Sequence, residues 1–182
     1  MEDDKWQIQN GFTLVELLIV ISILGILASI ALASFTASQQ RGRDAERKSD
    51  LKQISSALEL YYSDYGKYPG ASATGLVQAC PYNPSTGAGI SCAWGGSTAF
   101  WDTKTTYIKA VPKDPISGQN YFYRIVPSSN NQKYQLYTHL EYSWDPNCLT
   151  DCKSPVGIPA GVTCGSYACN FSLTSPNTTP AE

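Results

Sequence analysis

The sequence predicts an α+β protein, in which one long N-terminal helix precedes a small antiparallel β-sheet and a cysteine-rich C-terminal region. Three observations carry this prediction. Residues 17–37 contain no charge, and an amphipathic helical pattern follows them as far as residue 65. Two aromatic and β-branched segments, 120–126 and 133–142, flank a turn. Four of the six cysteines lie beyond residue 147.

Composition narrows the classes of function that are open to the chain. Its 182 residues suffice for one domain of ordinary size. Thirteen Lys and Arg against fifteen Asp and Glu give a formal charge of −2, which excludes nucleic acid as a primary partner. The single histidine, His139, leaves at most one histidine-based catalytic site, and no phosphate-binding G-x-x-x-x-G-K-[ST] motif occurs.

The uncharged run at 17–37 predicts a membrane-spanning helix. As a helix its 21 residues would span about 31 Å, roughly one hydrocarbon core. Twelve of them are Leu, Ile, Val or Phe, which favours insertion by about 4–7 kcal/mol. A buried soluble helix is the alternative, but such a helix would show a polar face. A secretory signal peptide is another, because residues 31–33 fit an A-x-A cleavage site and would leave Ser34 as the mature N-terminus.

Glu16 stands at the head of this run. Taken alone, it either marks the helix start, where a negative charge suits the helix dipole, or has a partner inside the membrane. The surrounding string GFTLVE, residues 11–16, resembles the type III signal of type IV pilins and type II secretion pseudopilins. The resemblance implies cleavage after Gly11 and methylation of the new amine on Phe12. It further implies that Glu16 pairs with the Phe12 amine of a neighbouring subunit.

Two features depart from that family. The proline that commonly kinks the family's helix is replaced by Ala33, and the leader holds one Lys against three acids. The cations beyond the span would, on the positive-inside rule, place the C-terminal side in the cytoplasm, the reverse of a pilin. They are Arg41, Arg43, Arg47, Lys48 and Lys52. We let the cleavage motif and the cysteines outweigh this count.

The resemblance implies a type IV pilin-like fold and a structural subunit without a cofactor or enzymatic activity. The domains expected from it are a leader (1–11), a transmembrane and filament-core helix (12–38), an amphipathic helix (39–66) and a globular head (67–182). Its implied partners are copies of itself, a prepilin peptidase and methyltransferase, an inner-membrane assembly platform with its ATPase, and membrane lipid before assembly. The implied location is the bacterial inner membrane, then an extracellular pilus or a periplasmic pseudopilus. A signal-anchored or secreted lectin-like binding protein and an exported enzyme are the other two hypotheses.

The helical pattern continues through 39–65. Its apolar stripe is formed by Leu51, Ile54, Leu58, Tyr61 (or Tyr62) and Tyr65. Asp44, Arg47, Lys48 and Asp50 are expected to form a solvated face, with Asp44 and Lys48 at the favourable i,i+4 spacing. Gly66 is the predicted stop. Residues 48–69 and 111–121 also resemble the pilin family, more loosely.

Beyond the helix, residues 70–106 are rich in Gly, Ser, Thr, Ala and Pro and are predicted to be a long loop. Residues 120–126 and 133–142 are predicted strands of a hairpin turned at 127–131. The tail 175–182 is expected to be mobile.

The six cysteines favour disulfides, because their number is even and all follow the span. We expect Cys80–Cys92 and two bridges among Cys148, Cys152, Cys164 and Cys169. A tetrathiolate zinc site formed by the last four is the rival interpretation.

Other candidates have ordinary structural explanations. His139, with Glu141 and Asp145 near it in sequence, is best explained as a surface or edge-strand histidine. Asp114, Asp145 and Asp151 could contribute to a calcium site, but turn chemistry is favoured, and the calcium site of the major pseudopilins is not carried over. The aromatic residues Trp94, Phe100 and Trp101 are expected to pack over the helix stripe rather than to bind carbohydrate or a partner.

Overall fold

The computed structural model describes residues 11–83, 88–96, 99–102 and 104–182. The chain divides into two compact units, Met1–Gln39 and Gln40–Glu182.

Helix α1, Leu14–Tyr65, is 52 residues long and extends from the first unit into the second. It begins at Leu14, two residues after Phe12, where the sequence analysis placed the start of the helix. It ends where predicted, because Gly66 adopts a φ of +64°, which continues no helix. The Gly66 N–H donates to the Tyr62 carbonyl at 2.7 Å and thus satisfies one of the last carbonyls.

The apolar part of α1 makes up most of the first unit. It is long and apolar enough to cross a membrane. Between Leu17 and Phe35, its large apolar side chains with described burial are at least half exposed. The exposed fractions run from 50% for Val20 to 64% for Ile30. A continuous apolar surface of this size needs lipid or another protein to cover it.

Among the described residues of the second unit, ten short strands form four antiparallel sheets. One sheet has the order β1–β2–β3, a second has the order β10–β7–β6, and β4–β5 and β8–β9 form pairs. The strands are β1 Gly70–Ala71, β2 Val77–Asn83, β3 Ala88–Ser91, β4 Phe100–Trp101, β5 Thr106–Ile108, β6 Phe122–Ile125, β7 Tyr134–Thr138, β8 Thr163–Cys164, β9 Tyr167–Ala168 and β10 Phe171–Thr174.

The predicted apolar stripe of α1 lies in the main core. Leu51, Ile54 and Leu58 are each at most 1% exposed, and they belong to one cluster with Tyr123 and Leu136 of the β10–β7–β6 sheet. Burial of such aliphatic side chains stabilises a fold by about 1.5–3 kcal/mol each. Packing of the stripe therefore supplies much of the free energy that joins helix to sheet.

The prediction of a long loop at 70–106 was wrong, because β1 to β4 lie within it. These strands have two to seven residues and contain Gly, Cys and Pro, so they lack the period-two pattern that identifies a strand. Pairing holds them instead. Gly89 of β3 approaches the backbone so closely that a Cβ there would lie 2.0 Å from the Gln78 carbonyl oxygen.

The predicted hairpin is present, with shorter strands than expected. Between β6 and β7, Ser128, Asn130 and Asn131 adopt positive φ angles, which produces the turn. All five residues of β7 are buried. The central strand is covered on both faces, since Tyr137 belongs to a second core cluster with Val162.

The C-terminal segment contains a further strand, and the tail that was expected to be mobile is hydrogen-bonded to the sheet. Strand β10 pairs with β7 over its whole length. The tail follows the same sheet: the Tyr134 N–H donates to Ser175 Oγ at 3.2 Å, and Gln135 Nε2 donates to the Thr179 carbonyl at 2.7 Å. The buried amide groups of β7 supply partners that no local pattern could show.

All six cysteines are paired in sequential order. The structure joins Cys80 to Cys92, Cys148 to Cys152 and Cys164 to Cys169. The four sulfurs of the rival zinc site thus form two disulfides, Cys148–Cys152 and Cys164–Cys169. Among the described residues no group of three or more His, Cys, Asp or Glu side chains could hold a metal ion.

Candidate functional site

Glu16 caps the start of α1. Its N–H donates to Thr13 Oγ1 at 3.2 Å, and its Oε2 accepts from the Thr13 N–H at 3.2 Å and from the Thr13 hydroxyl at 3.1 Å. This reciprocal arrangement is a capping box, which satisfies helix N–H groups that have no partner within the helix. A carboxylate offers about four acceptor positions. Capping therefore leaves Glu16 with capacity for a further donor.

Gly11 and Phe12 precede the helix and are exposed. Phe12 is 88% exposed, and no atom of the described residues lies within 4 Å of a Cβ placed on Gly11. The described part of the fold therefore leaves the peptide bond between them accessible and imposes no need for glycine at position 11.

A buried charge cluster lies where α1 enters the second unit. The Arg47 side chain is 0% exposed and donates to Asp114 through two parallel bonds, Nε to Oδ2 at 2.7 Å and Nη2 to Oδ1 at 2.8 Å. Its Nη1 donates to Asp44 at 2.8 Å and to Glu141 at 2.6 Å. One guanidinium thus joins the helix to two loops that lie far away in sequence.

Asp44 extends the cluster to the backbone. Its carboxylate accepts the N–H groups of Glu141 at 2.9 Å and Tyr142 at 2.8 Å. The expectation that Asp44 and Arg47 lie on a solvated face was wrong, because segments from the other end of the chain cover them. The i,i+4 pairing of Asp44 with Lys48 was also wrong, since Lys48 binds Asp145 at 2.6 Å instead.

Two further side chains of α1 fasten the loop after β7 from outside the cluster. Arg43 holds Glu141 through two bonds, Nε to Oε1 at 2.8 Å and Nη2 to Oε2 at 2.6 Å. Arg41 donates to the Tyr142 hydroxyl at 2.5 Å, and its guanidinium carbon lies 4.2 Å from the centre of that ring. On the positive-inside rule, the cations after the apolar run predict a topology opposite to that of a pilin. The structure shows that some of them, Arg41 and Arg43 among them, bind the loop after β7 instead.

The pairing shifts the acid–base equilibria of the cluster. Hydrogen bonds from Arg43 and then Arg47 outweigh burial and lower the pKa of Glu141 below its ordinary value. Burial opposes ionisation of Asp145, but the bond from Lys48, the hydrogen bonds from Asn147 and the attraction to the Lys48 charge together outweigh it and lower the pKa of that carboxyl. Burial likewise opposes the charge on Arg47, yet the bonds to Asp114 and Glu141 raise the pKa of the guanidinium.

A separate buried acid, Asp102, lies next to the last turn of α1. It accepts hydrogen bonds from the hydroxyls of Tyr65 at 2.5 Å and Tyr107 at 3.0 Å, and from the Thr105 N–H at 2.5 Å. Burial alone would raise the pKa of Asp102, but these bonds dominate and lower it to about 2.

The remaining candidates have structural roles. His139 lies with Nδ1 2.7 Å from the Ala168 carbonyl oxygen and stacks on Tyr167. The ring centroids of Phe100 and Tyr61, which belongs to the helix stripe, are 5.7 Å apart. Trp94 and Tyr121 form a T-shaped aromatic pair. Sequence reasoning missed the Arg47 cluster. In the sequence, Asp114 stood out only as a calcium candidate within the pilin-like segment 111–121.

The fold and the capped N-terminal motif define the class of the chain, a pilin-like structural subunit with a small α+β head. A family model for the prokaryotic N-terminal methylation motif matches residues 6–32. A model for type II secretion system protein G matches residues 34–139, more than half of the chain. The chain therefore belongs to the family of type II secretion system protein G.

Curated relatives agree with this assignment. Type II secretion system core protein G of Klebsiella michiganensis is 30% identical over 132 residues, which cover 72% of this chain and 83% of that protein. The type IV major pilin protein PilA of Myxococcus xanthus is 43% identical over 59 residues, which cover 32% of this chain and 27% of that pilin. Fimbrial protein EcpC of Eikenella corrodens is 41% identical over 73 residues, 40% of this chain and 48% of that protein. No solved structure matches the chain.

Replacing Arg47 tests the buried cluster. Arg47→Met should lower the free energy of unfolding by about 3–5 kcal/mol, because it leaves buried carboxylates without their cation. Arg43→Met is the matched control, since Arg43 is exposed by about a third and should lose far less. Urea denaturation of both variants measures the difference. Equal losses would contradict a special role for the buried guanidinium.

Acid should destabilise the head. Glu141, Asp145 and Asp102 have lowered pKa values, so the stability they contribute is present above their ordinary pKa values and is lost as pH falls. We expect the decline to start near pH 4.5, the ordinary value for Glu141, and to continue to about pH 2. Asp50, whose pKa burial raises, opposes part of this trend. The midpoint of urea denaturation, measured between pH 7 and pH 2, reports the loss of stability. In the Asp102→Asn variant, the midpoint should fall less steeply at the acidic end of this range. Stability that rises with acid would contradict the assignment.

Proposed function

We propose that this chain is a filament subunit that waits in the inner membrane, loses its leader after Gly11, is methylated on Phe12 and polymerises into a pseudopilus. The observation that carries the proposal is the charge of Glu16 at the head of an exposed apolar helix. Membership of the secretion protein G family supports it.

The exposed first half of α1 gives the physical reason for both membrane insertion and polymerisation. Its apolar side chains require lipid or other helices around them. Packing with copies of the same helix can replace lipid through van der Waals contact. Removing the leader takes away one of thirteen cations and three of fifteen acids, which leaves twelve of each. A neutral subunit can be stacked densely without strong self-repulsion.

Glu16 would select the register between neighbouring helices. Cleavage creates a cationic amine on Phe12, and methylation keeps its charge. An unpaired charge in an apolar setting is costly, so the stagger that brings the amine of one subunit to Glu16 of the next is favoured over others. The capping box supports this role, because it fixes the carboxylate near the helix start while acceptor positions remain.

A surface pilus is the second candidate. The similarity to the fimbrial protein of Eikenella corrodens favours it, but that similarity covers 40% of this chain, whereas the similarity to the secretion protein of Klebsiella michiganensis covers 72%. We therefore place the pseudopilus first. In either filament the proposed partners are a prepilin peptidase and methyltransferase, an assembly platform and its ATPase.

Gly11→Leu should block processing. The structure offers open space at this position, so the substitution leaves the fold intact and acts only on recognition by the peptidase. Mass spectrometry of the membrane-extracted protein should show a precursor that keeps all eleven leader residues. Gln9→Leu, in the same leader, is the control and should be processed. Normal cleavage of the Gly11 variant would contradict the proposed site.

Glu16→Gln separates the charge from the helix cap. A glutamine at this position can still complete the capping box, so the helix start is preserved while the negative charge is lost. We expect a cleaved, membrane-inserted subunit that forms no filaments in electron micrographs. Thr13→Val is the matched control, because it weakens the cap and keeps the charge. Filaments from the Gln variant would contradict the proposed role of the charge.

A further inference from the structure

We propose that the second unit binds an extended peptide segment of another protein in a groove between strands β1 and β6. The bound segment adds a strand between the β1–β2–β3 sheet and the β10–β7–β6 sheet. It carries an acidic side chain at one end and an apolar side chain at the other. Such binding involves the second unit alone and needs no filament, so it stands or falls separately from the proposed function.

Strand β6 is an outer strand of its sheet, and one of its edges borders the groove. The Ser175 N–H donates to the Tyr134 carbonyl at 3.1 Å, so the backbone groups of Tyr134 face β10. Ile125 is the partner of Tyr134 on β6. Because backbone groups in an antiparallel ladder alternate between the two sides, those of Ile125 point away from β7. No described strand pairs with β6 on that side.

Strand β1 is the outer strand of the other sheet, and its free edge borders the same groove. The Cys92 N–H donates to the Val77 carbonyl at 2.7 Å, so the backbone groups of Val77 face β3. Those of Ala71, its partner on β1, therefore point away from β2. Ala71 and Ile125 both line a cavity of about 520 Å³. An extended chain in this cavity would hydrogen-bond to both edges, as peptides do when they add a strand to a sheet.

Arg124 gives the groove its charge. It lines the cavity next to Ile125, and the described residues around this cavity include no acid. Its Nη1 donates to Gln135 Oε1 at 2.5 Å and to the Glu182 carbonyl at 2.6 Å. These bonds use the two donors of Nη1, whereas a guanidinium has five N–H donors. Capacity remains for a carboxylate, which a guanidinium binds strongly, so the peptide is expected to carry Asp or Glu at this end.

The apolar end of the groove lies past Phe122. A second cavity, of about 500 Å³, shares Ala73, Phe122 and Gly161 with the first, so the two form one continuous groove. Trp94 and Tyr121 line this part as a T-shaped pair, and its described lining carries no charge. The buried Trp94 Nε1 has no hydrogen-bond partner among the described residues. An apolar side chain suits the rings, and a peptide carbonyl would satisfy the indole N–H.

A random heptapeptide library displayed on phage, panned against the detergent-solubilised full chain, tests the proposal. Parallel panning against Ala73→Tyr identifies clones that bind elsewhere, because Ala73 is exposed where the two cavities meet and a tyrosine there fills the groove. Ser63→Tyr is the matched control, since Ser63 is an exposed helix position outside the groove. Urea midpoints equal to that of the wild-type chain verify that both variants are folded.

Enriched peptides should carry an acid and, several residues away, an aromatic or aliphatic side chain. A synthetic copy of an enriched peptide should bind Ser63→Tyr as it binds the wild-type chain, and Ala73→Tyr at least tenfold more weakly. Replacing its acid by the corresponding amide should weaken binding about tenfold, because the charge-assisted bond to Arg124 is lost. Methylation of its central backbone nitrogens should weaken binding by a similar factor, because these N–H groups pair with the strand edges.

Three results would overturn the proposal. The first is a library that yields no peptide with a preference for the wild-type chain over Ala73→Tyr. The second is an enriched peptide whose affinity does not change on backbone methylation. The third is self-association of the full chain that Ala73→Tyr abolishes while no peptide binds, which would assign the groove to a second copy. Cleavage and filament formation are measured separately, with the Gly11 and Glu16 variants.

Discussion

Arg47 carries a charge that is completely removed from water, and this imposes the strictest requirement in the second unit. A buried guanidinium is tolerated only where acids surround it, and here the acids come from the helix, from Asp114 and from Glu141 after β7. The helix can therefore meet the sheet in one register alone. The apolar stripe supplies most of the free energy of packing, and the cluster selects the arrangement in which that packing occurs.

Two charged residues of α1, Glu16 in its first turn and Arg47 in its second half, have opposite surroundings. Arg47 is saturated within its own chain, whereas Glu16 is exposed and only partly used by its cap. The first arrangement suits a head that must keep its shape, and the second suits a helix whose final partners are other molecules.

Much of the fold could be predicted wherever the signal was local. The apolar run, the stripe through Leu51 and Leu58, the stop at Gly66 and the β6–β7 hairpin all follow from periodicity or from backbone preference. Strands β1 to β4 and β10 could not be predicted, because segments of two to seven residues are too short to show a period-two pattern and adopt a strand only when a partner supplies hydrogen bonds. The position of the tail beyond Ser175 could not be predicted for the same reason, because its hydrogen-bond partners lie on β7.

The sequence by itself determined the class of the protein, because the motif around Gly11 and Glu16 and the long apolar run are contiguous and depend on no tertiary contact. Tertiary structure alone decided that Arg47 is buried. A polar helical face looks the same in sequence whether water or distant carboxylates satisfy it, since hydrogen bonding and charge pairing depend on which segments fold against it. Contacts between distant segments thus determined the structure of the second unit, whereas the local sequence pattern determined the helix.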